Sequence, residues 1–288
     1  MYTRRELAAK GIDNKLLAAL LKSGDLIRLR PGWFAIRSHD ANVASAVRDG
    51  GVLTCVDALT FHEAWVPPGH DRRLHLRRNR GMRGKNKACT PLVGSLPTAR
   101  CAVDSVEAAL LCAARCLEMD EWIAVCDSYL HSGATTFEDL KACFGDSGAV
   151  VREWLGRTDG RCMSGTESMT RVRLQSLGFD VVVQPAIPGV GLADLRVGIL
   201  VLECDSMLYH SSKEDYERDR RRDRQTMIDG WLTLRLTYDD IIYGWDQTLA
   251  DIRAITKRDR HRARSREAKA LVERSVRMTT SEGTLPSE

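Results

Sequence analysis

At 288 residues, with 43% hydrophobic and 28% charged side chains, the chain is long enough for two packed domains and has the composition of an ordinary globular protein. It holds no run of about 18 apolar residues, and its opening MYTRREL lacks an apolar signal region, so neither a membrane span nor a secretory leader is expected and the location reads as cytoplasmic. The net charge of +4 permits nucleic-acid binding without requiring it.

Residues 1–40 carry the first informative pattern. Thr3-Arg-Arg-Glu6 has the form of a capping box and opens a short helix over 7–10 that Gly11 stops. Asp13 caps a second helix in which Leu16, Leu17, Leu20 and Leu21 supply the apolar stripe, ending at Ser23-Gly24. Leu26, Ile27 and Leu29 then lead through Arg30-Pro31-Gly32 into Trp33 to Ile36, a hairpin about a Pro-Gly turn. Two short helices followed by a two-stranded wing predict a winged helix-turn-helix. The run Leu21-Lys-Ser-Gly24-Asp-Leu-Ile-Arg28-Leu-Arg30-Pro-Gly32-Trp-Phe34 resembles the N-terminal domain of the abortive-infection type IV antitoxin family. That resemblance implies a second helix in the major groove of DNA. Asn14 and Lys15 would read bases, while Lys22, Arg28 and Arg30 would meet phosphates or bases. Protein docking is the other use of such a module.

A β-containing extension over 41–97 follows, with an alanine-rich helix from Asn42 to Arg48, then Gly50-Gly51 and a further helix from about Cys55. His62 and His70 stand alone and read as surface or capped histidines. Arg72 to Arg80 alternates as a strand with a heavily positive solvent face, and Gly81 to Lys87 reads as a flexible basic loop; both are either solvated or phosphate-facing. Residues 98–160 form a helical connector. Asp104 caps Ser105 to Glu118, Asp120 caps Glu121 to Leu130, and Thr136 starts a helix that reaches Phe144. Asp127 and His131 have a metal-compatible spacing, but an isolated pair near a helix end reads as structural. The nine cysteines, at 55, 89, 101, 112, 116, 126, 143, 162 and 204, include no CxxC pair. Their spacing matches neither a zinc site nor a disulfide frame, so they read as reduced, mostly buried thiols, with Cys112 and Cys116 as core packing.

The second informative stretch lies in 161–256. Ser164-Gly-Thr-Glu167 opens a helix carrying Met169, Val172, Leu174 and Leu177, Gly178 stops it, and a strand from Phe179 to Val183 follows. Two apolar runs then meet at Gly198 as a tight hairpin. Strand side chains alternate faces, so Glu203 and Asp205 point the same way, and the hairpin returns Asp194 beside them. Three acids at the edge of a buried sheet are costly without a cation, and a divalent metal is the natural candidate; acids at strand ends that simply return to solvent are the alternative. Downstream come His210, a charged helix over 212–229 and a strand from Trp231 to Leu236.

Helix with Glu167, strand, hairpin with Asp194 and Glu203-Cys204-Asp205, His210, the Arg218 to Asp223 run and Gly230-Trp231-Leu232-Thr233-Leu234-Arg235-Leu236-Thr237 together resemble the PD-(D/E)xK nucleases, and among them the very-short-patch-repair-like endonucleases, over roughly 165–255. The resemblance implies a restriction-endonuclease-like α/β domain with a mixed sheet, making the whole chain α+β/α/β. It implies Mg²⁺ or Mn²⁺ held by Asp194, Glu203 and the Cys204 backbone carbonyl, with Glu167 contributing through water or a second metal. Asp205 stands where many relatives carry lysine, and His210 is the substitute for activating water. Arg218, Arg221, Arg222 and Arg224 would neutralise flanking phosphates. Both resemblances together imply a metal-dependent DNA endonuclease targeted by a winged helix, in phage defence or a phage-borne counterpart, acting alone, as a homodimer, or with a cognate toxin. The alternative is a non-catalytic DNA-binding antitoxin or autorepressor on a degenerate nuclease fold. In 257–288 a basic segment reads as a helix on DNA or a solvated tail, Leu271 and Val272 offer little to bury, and disorder is expected from Thr279.

Overall fold

The computed structural model describes residues 1–188, 191–205, 230–257, 262–263 and 265–282. The chain is mixed α/β, with helices and several small sheets, and divides into two compact units: Met1–Val125 with Thr135–Gly156, and Cys126–Ala134 with Arg157–Glu288. Among the described residues no helix is long and apolar enough to cross a membrane.

The first unit begins with β1 (Tyr2–Thr3), α1 (Arg4–Ala9), α2 (Asn14–Ser23), β2 (Leu26–Arg30) and β3 (Trp33–Ile36), the strands forming an antiparallel sheet in the order β1-β3-β2. The capping box of Thr3 and Glu6 is complete, Asp13 caps α2 through the Leu16 N–H at 2.7 Å, and Gly24 ends it in the left-handed region at φ 77. Leu7, Leu17, Leu26 and Phe34 make the local core, with Leu20 and Leu21 packed against it. Leu16 departs from the expected stripe: it is 46% exposed, because it falls on the solvent side of α2 with Lys15 and Ala19.

Next come α3 (Ala41–Arg48), β4 (Val52–Leu53), α4 (Cys55–Phe61), β5 (Leu76–Arg77), α5 (Val106–Ala113), α6 (Met119–His131), α7 (Phe137–Phe144) and α8 (Ala149–Leu155). Trp122 is fully buried, stacks edge-on to Phe144 at 5.9 Å and donates its indole N–H to the Leu110 carbonyl at 3.0 Å. Asp120 lies inside the first turn of α6, which begins at Met119, and so does not cap it as expected, and three further expectations change here. The strand around Arg77 shrinks to two residues, and two of its arginines turn inward: Arg77 meets Asp104 through bonds of 2.5 and 2.7 Å, and Arg78 pairs with Asp49. Asp104 is therefore the partner of a buried guanidinium, and Ser105 caps α5 in its place. The basic loop is tied down, since Asp49 also accepts the backbone N–H groups of Lys85 and Asn86 at 2.6 and 3.0 Å. His62 and His70 bond the Asp104 carbonyl and Glu121, as histidines with a structural role do.

The second unit contains α9 (Gly165–Ser176), β6 (Val182–Val183), β7 (Ala186–Ile187), β8 (Gly191–Leu192), β9 (Leu195–Val197), β10 (Leu200–Cys204), β11 (Leu232–Leu236), α10 (Tyr238–Ile242), α11 (Trp245–Lys257) and α12 (Arg266–Glu282). A mixed sheet runs β11-β10-β9-β6, with β10 and β11 parallel and the other pairs antiparallel. Only Val182 and Val183 of the expected strand over 179–183 pair. Gly198, at φ 62, opens the two-residue turn that sets Leu202 opposite Leu195. Asp127 is buried against Arg171 at 2.7 Å and accepts the Asp159 N–H at 2.6 Å, so its role is structural. The tail also differs from expectation. Leu271 is buried in a core with Ile187, Ala193, Val201 and Trp231, Val272 packs against that core, and Thr279 accepts the Ala186 N–H at 2.9 Å. Helical spacing of Leu271, Ser275 and Thr279 gives α12 one inward stripe, which its low overall hydrophobicity conceals.

Candidate active site at a sheet edge

The hairpin register carries Asp194 to the position opposite Glu203, one step past the Leu195 and Leu202 pair. There the ladder stops, and the Asp194 carboxylate takes its place by accepting the Cys204 N–H at 2.7 Å. Its backbone is fixed as well: the Asp194 carbonyl accepts the Gln184 N–H at 2.9 Å, and the Ala193 N–H bonds the Pro185 carbonyl at 3.0 Å. Glu203 is half-buried in register with Arg235 on β11, whereas Asp205 is exposed and donates its N–H to the Leu236 carbonyl at 2.9 Å.

Glu167 comes from the first turn of α9 and is only 3% exposed. Ser164 accepts its N–H at 3.2 Å, as a cap should, but the carboxylate does not complete the box. It accepts the Met163 N–H at 3.1 Å and the Gln184 side-chain amide at 2.9 Å instead. Burial, and then the charge of Asp194, push the Glu167 carboxyl up to about 7, against the lowering effect of those donors. Cys204 reports the same crowding from inside the strand. Its thiol is held well above the usual range, first by burial and then by Asp194, with Glu167 and Glu203 adding to it. Glu167 and Asp194 thus lie near enough to repel each other, and capping alone does not explain Glu167.

Gln184 is the site residue that the sequence reading missed. It bridges Glu167 and the Asp194 backbone from a left-handed conformation, φ 48, unusual for a residue with a side chain and placed just before Pro185. Its signal is conformational, and nothing in the residue letters announces it. His210, Arg218, Arg221, Arg222 and Arg224 lie outside the described residues.

In the first unit Asn14, Lys15 and Lys22 are exposed on α2, with Asn14 accepting a bond from Arg4 at 2.7 Å. Arg28 lies over the Phe34 ring at 5.7 Å and Arg30 over the Trp33 ring at 5.6 Å. The same unit corrects the cysteine reading. Cys55, His75, Cys89 and Cys116 bring their ligand atoms within 4.8 Å of one another, and among the described residues this is the group of three or more His, Cys, Asp or Glu gathered so tightly. The acids of the sheet edge are more widely set.

Comparison of the chain with protein-family models, with curated proteins and with solved structures returns no match.

Proposed function

We propose that the protein is a metal-dependent DNA endonuclease of the PD-(D/E)xK type, with the acid edge of the second unit as its active site and the basic α2 and hairpin of the first unit, read as a winged helix, as its DNA-binding module. The buried Glu167 carboxyl beside Asp194, with Asp194 held by the Cys204 N–H and set opposite Glu203 in the hairpin, carries this reading. The donors fit Mg²⁺ or Mn²⁺: they are hard oxygens, and a cation beside Asp194 would relieve the like-charge burial that raises Glu167. Asp194, Glu203 and the Cys204 carbonyl would hold the ion. Because the Cys204 N–H meets Asp194 and an extended residue sends its N–H and C=O to the same side, that carbonyl emerges toward Asp194.

Bound metal would supply charge neutralisation at the scissile phosphate and an activated water near neutral pH. The chain's own residues do the rest. The Cys204 N–H holds Asp194 in place, Gln184 and the Met163 N–H hold Glu167, and Glu167 can keep or release its proton near neutral pH. Lys15, Lys22, Arg28 and Arg30 would neutralise phosphates of the bound DNA. The reaction would take place in the cytoplasm, with phage or plasmid DNA as its target, by the chain alone, as a homodimer or with a cognate toxin.

Supercoiled plasmid tests this directly. Wild type should nick or linearise it in Mg²⁺ or Mn²⁺ and not in EDTA. Asp194→Ala and Glu203→Ala should each lose about 100-fold or more, above the roughly 10–100-fold typical of a supporting residue. Silence of wild type in both metals, with DNA still shifted in a gel, would sink the enzyme reading in favour of a DNA-binding antitoxin or autorepressor, which Asp205 at the usual lysine position favours.

A further inference from the structure

Four residues far apart in the chain meet inside the first unit. Cys55 is the first residue of α4, His75 immediately precedes β5, Cys89 follows the Asp49-bound loop, and Cys116 lies beyond α5. Hydrogen bonds fix the backbone of two of them and of the residue before a third: the His75 N–H bonds the Asp57 carboxylate at 2.7 Å, the Cys89 N–H the Leu76 carbonyl at 2.7 Å, and the Thr54 N–H, next to Cys55, the His75 carbonyl at 3.0 Å. Cys55 takes φ 55, a left-handed conformation that a cysteine adopts at a cost, at the residue whose Sγ joins the group. Cys55, His75 and Cys89 are buried, and Cys116 is partly open, leaving a path from solvent.

We propose that Cys55, His75, Cys89 and Cys116 form a structural zinc site. Bonds of about 2.3 Å to sulfur and about 2.0–2.1 Å to nitrogen in a tetrahedron imply ligand separations of roughly 3.5–3.8 Å. His75 Nδ1 already stands 3.5 Å from Cys89 Sγ, and the whole set lies within 4.8 Å, so small side-chain shifts close it. The imidazole is already turned to serve as a ligand. Its Nε2 lies 3.1 Å from the His70 carbonyl, which can only accept, so Nε2 carries the proton and Nδ1 presents its lone pair to the ligand group. Arg73 places a guanidinium nitrogen 3.2 Å from Cys116 Sγ. Three thiolates and Zn²⁺ sum to one negative charge, and Arg73 offsets it. Zinc binds the sulfurs as thiolates, so binding sends to solvent whatever protons the thiols still carry.

Two other accounts explain less. Buried free cysteines pack as small hydrophobes, but that leaves the oriented imidazole and the Arg73 contact without a purpose. A disulfide would use two of the three sulfurs and strand the third beside the histidine. Four protein ligands with sulfur in the majority suit zinc and leave no open position for substrate, so the site is a staple that binds α4, β5, the following loop and the end of α5.

The test is metal analysis of the full chain purified without chelator. Wild type should carry one equivalent of zinc, Cys116→Ser and His75→Gln should lose most of it, and Cys143→Ser, an exposed thiol outside the group, should keep it. Should the variants fail to fold, wild type reconstituted with Co²⁺ should give the visible bands of a tetrahedral thiolate site. Metal-free wild type whose nine thiols all react freely would overturn the proposal, as would a mass lower by two hydrogens from a pairing among Cys55, Cys89 and Cys116. Asp194→Ala and Glu203→Ala should carry the same zinc as wild type, so the outcome is separable from that of the nuclease reading.

Discussion

In the first unit the buried guanidinium of Arg77 meets Asp104 through two short bonds, whereas in the second the buried carboxyl of Glu167 has Asp194, a group of its own sign, as its strongest charged neighbour. The two arrangements cost and return free energy differently. A paired buried charge holds a fold in one geometry and is expensive only when one partner is removed. Like charges held together at a sheet edge reduce stability for as long as they stay ionised, and groups shifted in this way cluster where a protein does chemistry. The soft donors of the first unit fall between these cases: they become an asset to stability once a cation joins them.

That intermediate case makes the sharpest test of the contrast. Removing zinc with a tight chelator should cost the first unit on the order of 10 kcal/mol of metal-linked stability, read as lost hydrogen-exchange protection around Cys55 and Cys89, while protection in β9 and β10 is kept. Equal protection with and without chelator would mean that the first unit's interior is complete on its own. Next in size, Asp104→Ala should destabilise by about 3–5 kcal/mol in urea unfolding, because Arg77 is left buried without its partner; a loss under about 1 kcal/mol would remove the distinction between the units. Glu167→Gln should have the opposite sign. The folded carboxyl sits near 7 against an ordinary 4.5, so its contribution is intact below about pH 4.5 and is lost as pH rises through about 7. Without added Mg²⁺ or Mn²⁺ at pH 8 the substitution should therefore stabilise by up to roughly 3 kcal/mol and flatten the acid-to-neutral slope of wild type. A wild-type slope unchanged by the substitution would assign the pH dependence to another group.

What could be read from the residues alone was local. The caps at Thr3, Asp13, Thr136 and Ser164 and the turn at Gly198 lie within a few positions of the groups they serve, and each forms as expected. The acid edge was legible for the same reason, since one hairpin supplies Asp194, Glu203 and Asp205. Long-range partners were not. Alternation put the arginines near 77 on a solvent face, but an aspartate 27 residues on draws Arg77 inward. Cys55, Cys89 and Cys116 read as scattered because they meet only in the fold: the pairing of β4 with β5 sets Cys55 near His75, and the Cys89 N–H bonds the Leu76 carbonyl, contacts that no spacing rule encodes. Gln184 depends on a backbone conformation, and α12 on a stripe of Leu271, Ser275 and Thr279 too polar to register as a core face.

The bond between Ala186 and Thr279 joins residues 93 positions apart. On a ribosome adding about 5–20 residues per second, roughly 5–20 s separate the emergence of the two. Through that interval the hairpin bearing Asp194 and Glu203 exists as chain, but the helix that covers Val201 and Trp231 with Leu271 does not. Every residue of the first unit has by then been made. The growing chain thus matures in order, with the basic helix complete seconds before the acid-bearing sheet receives its last layer.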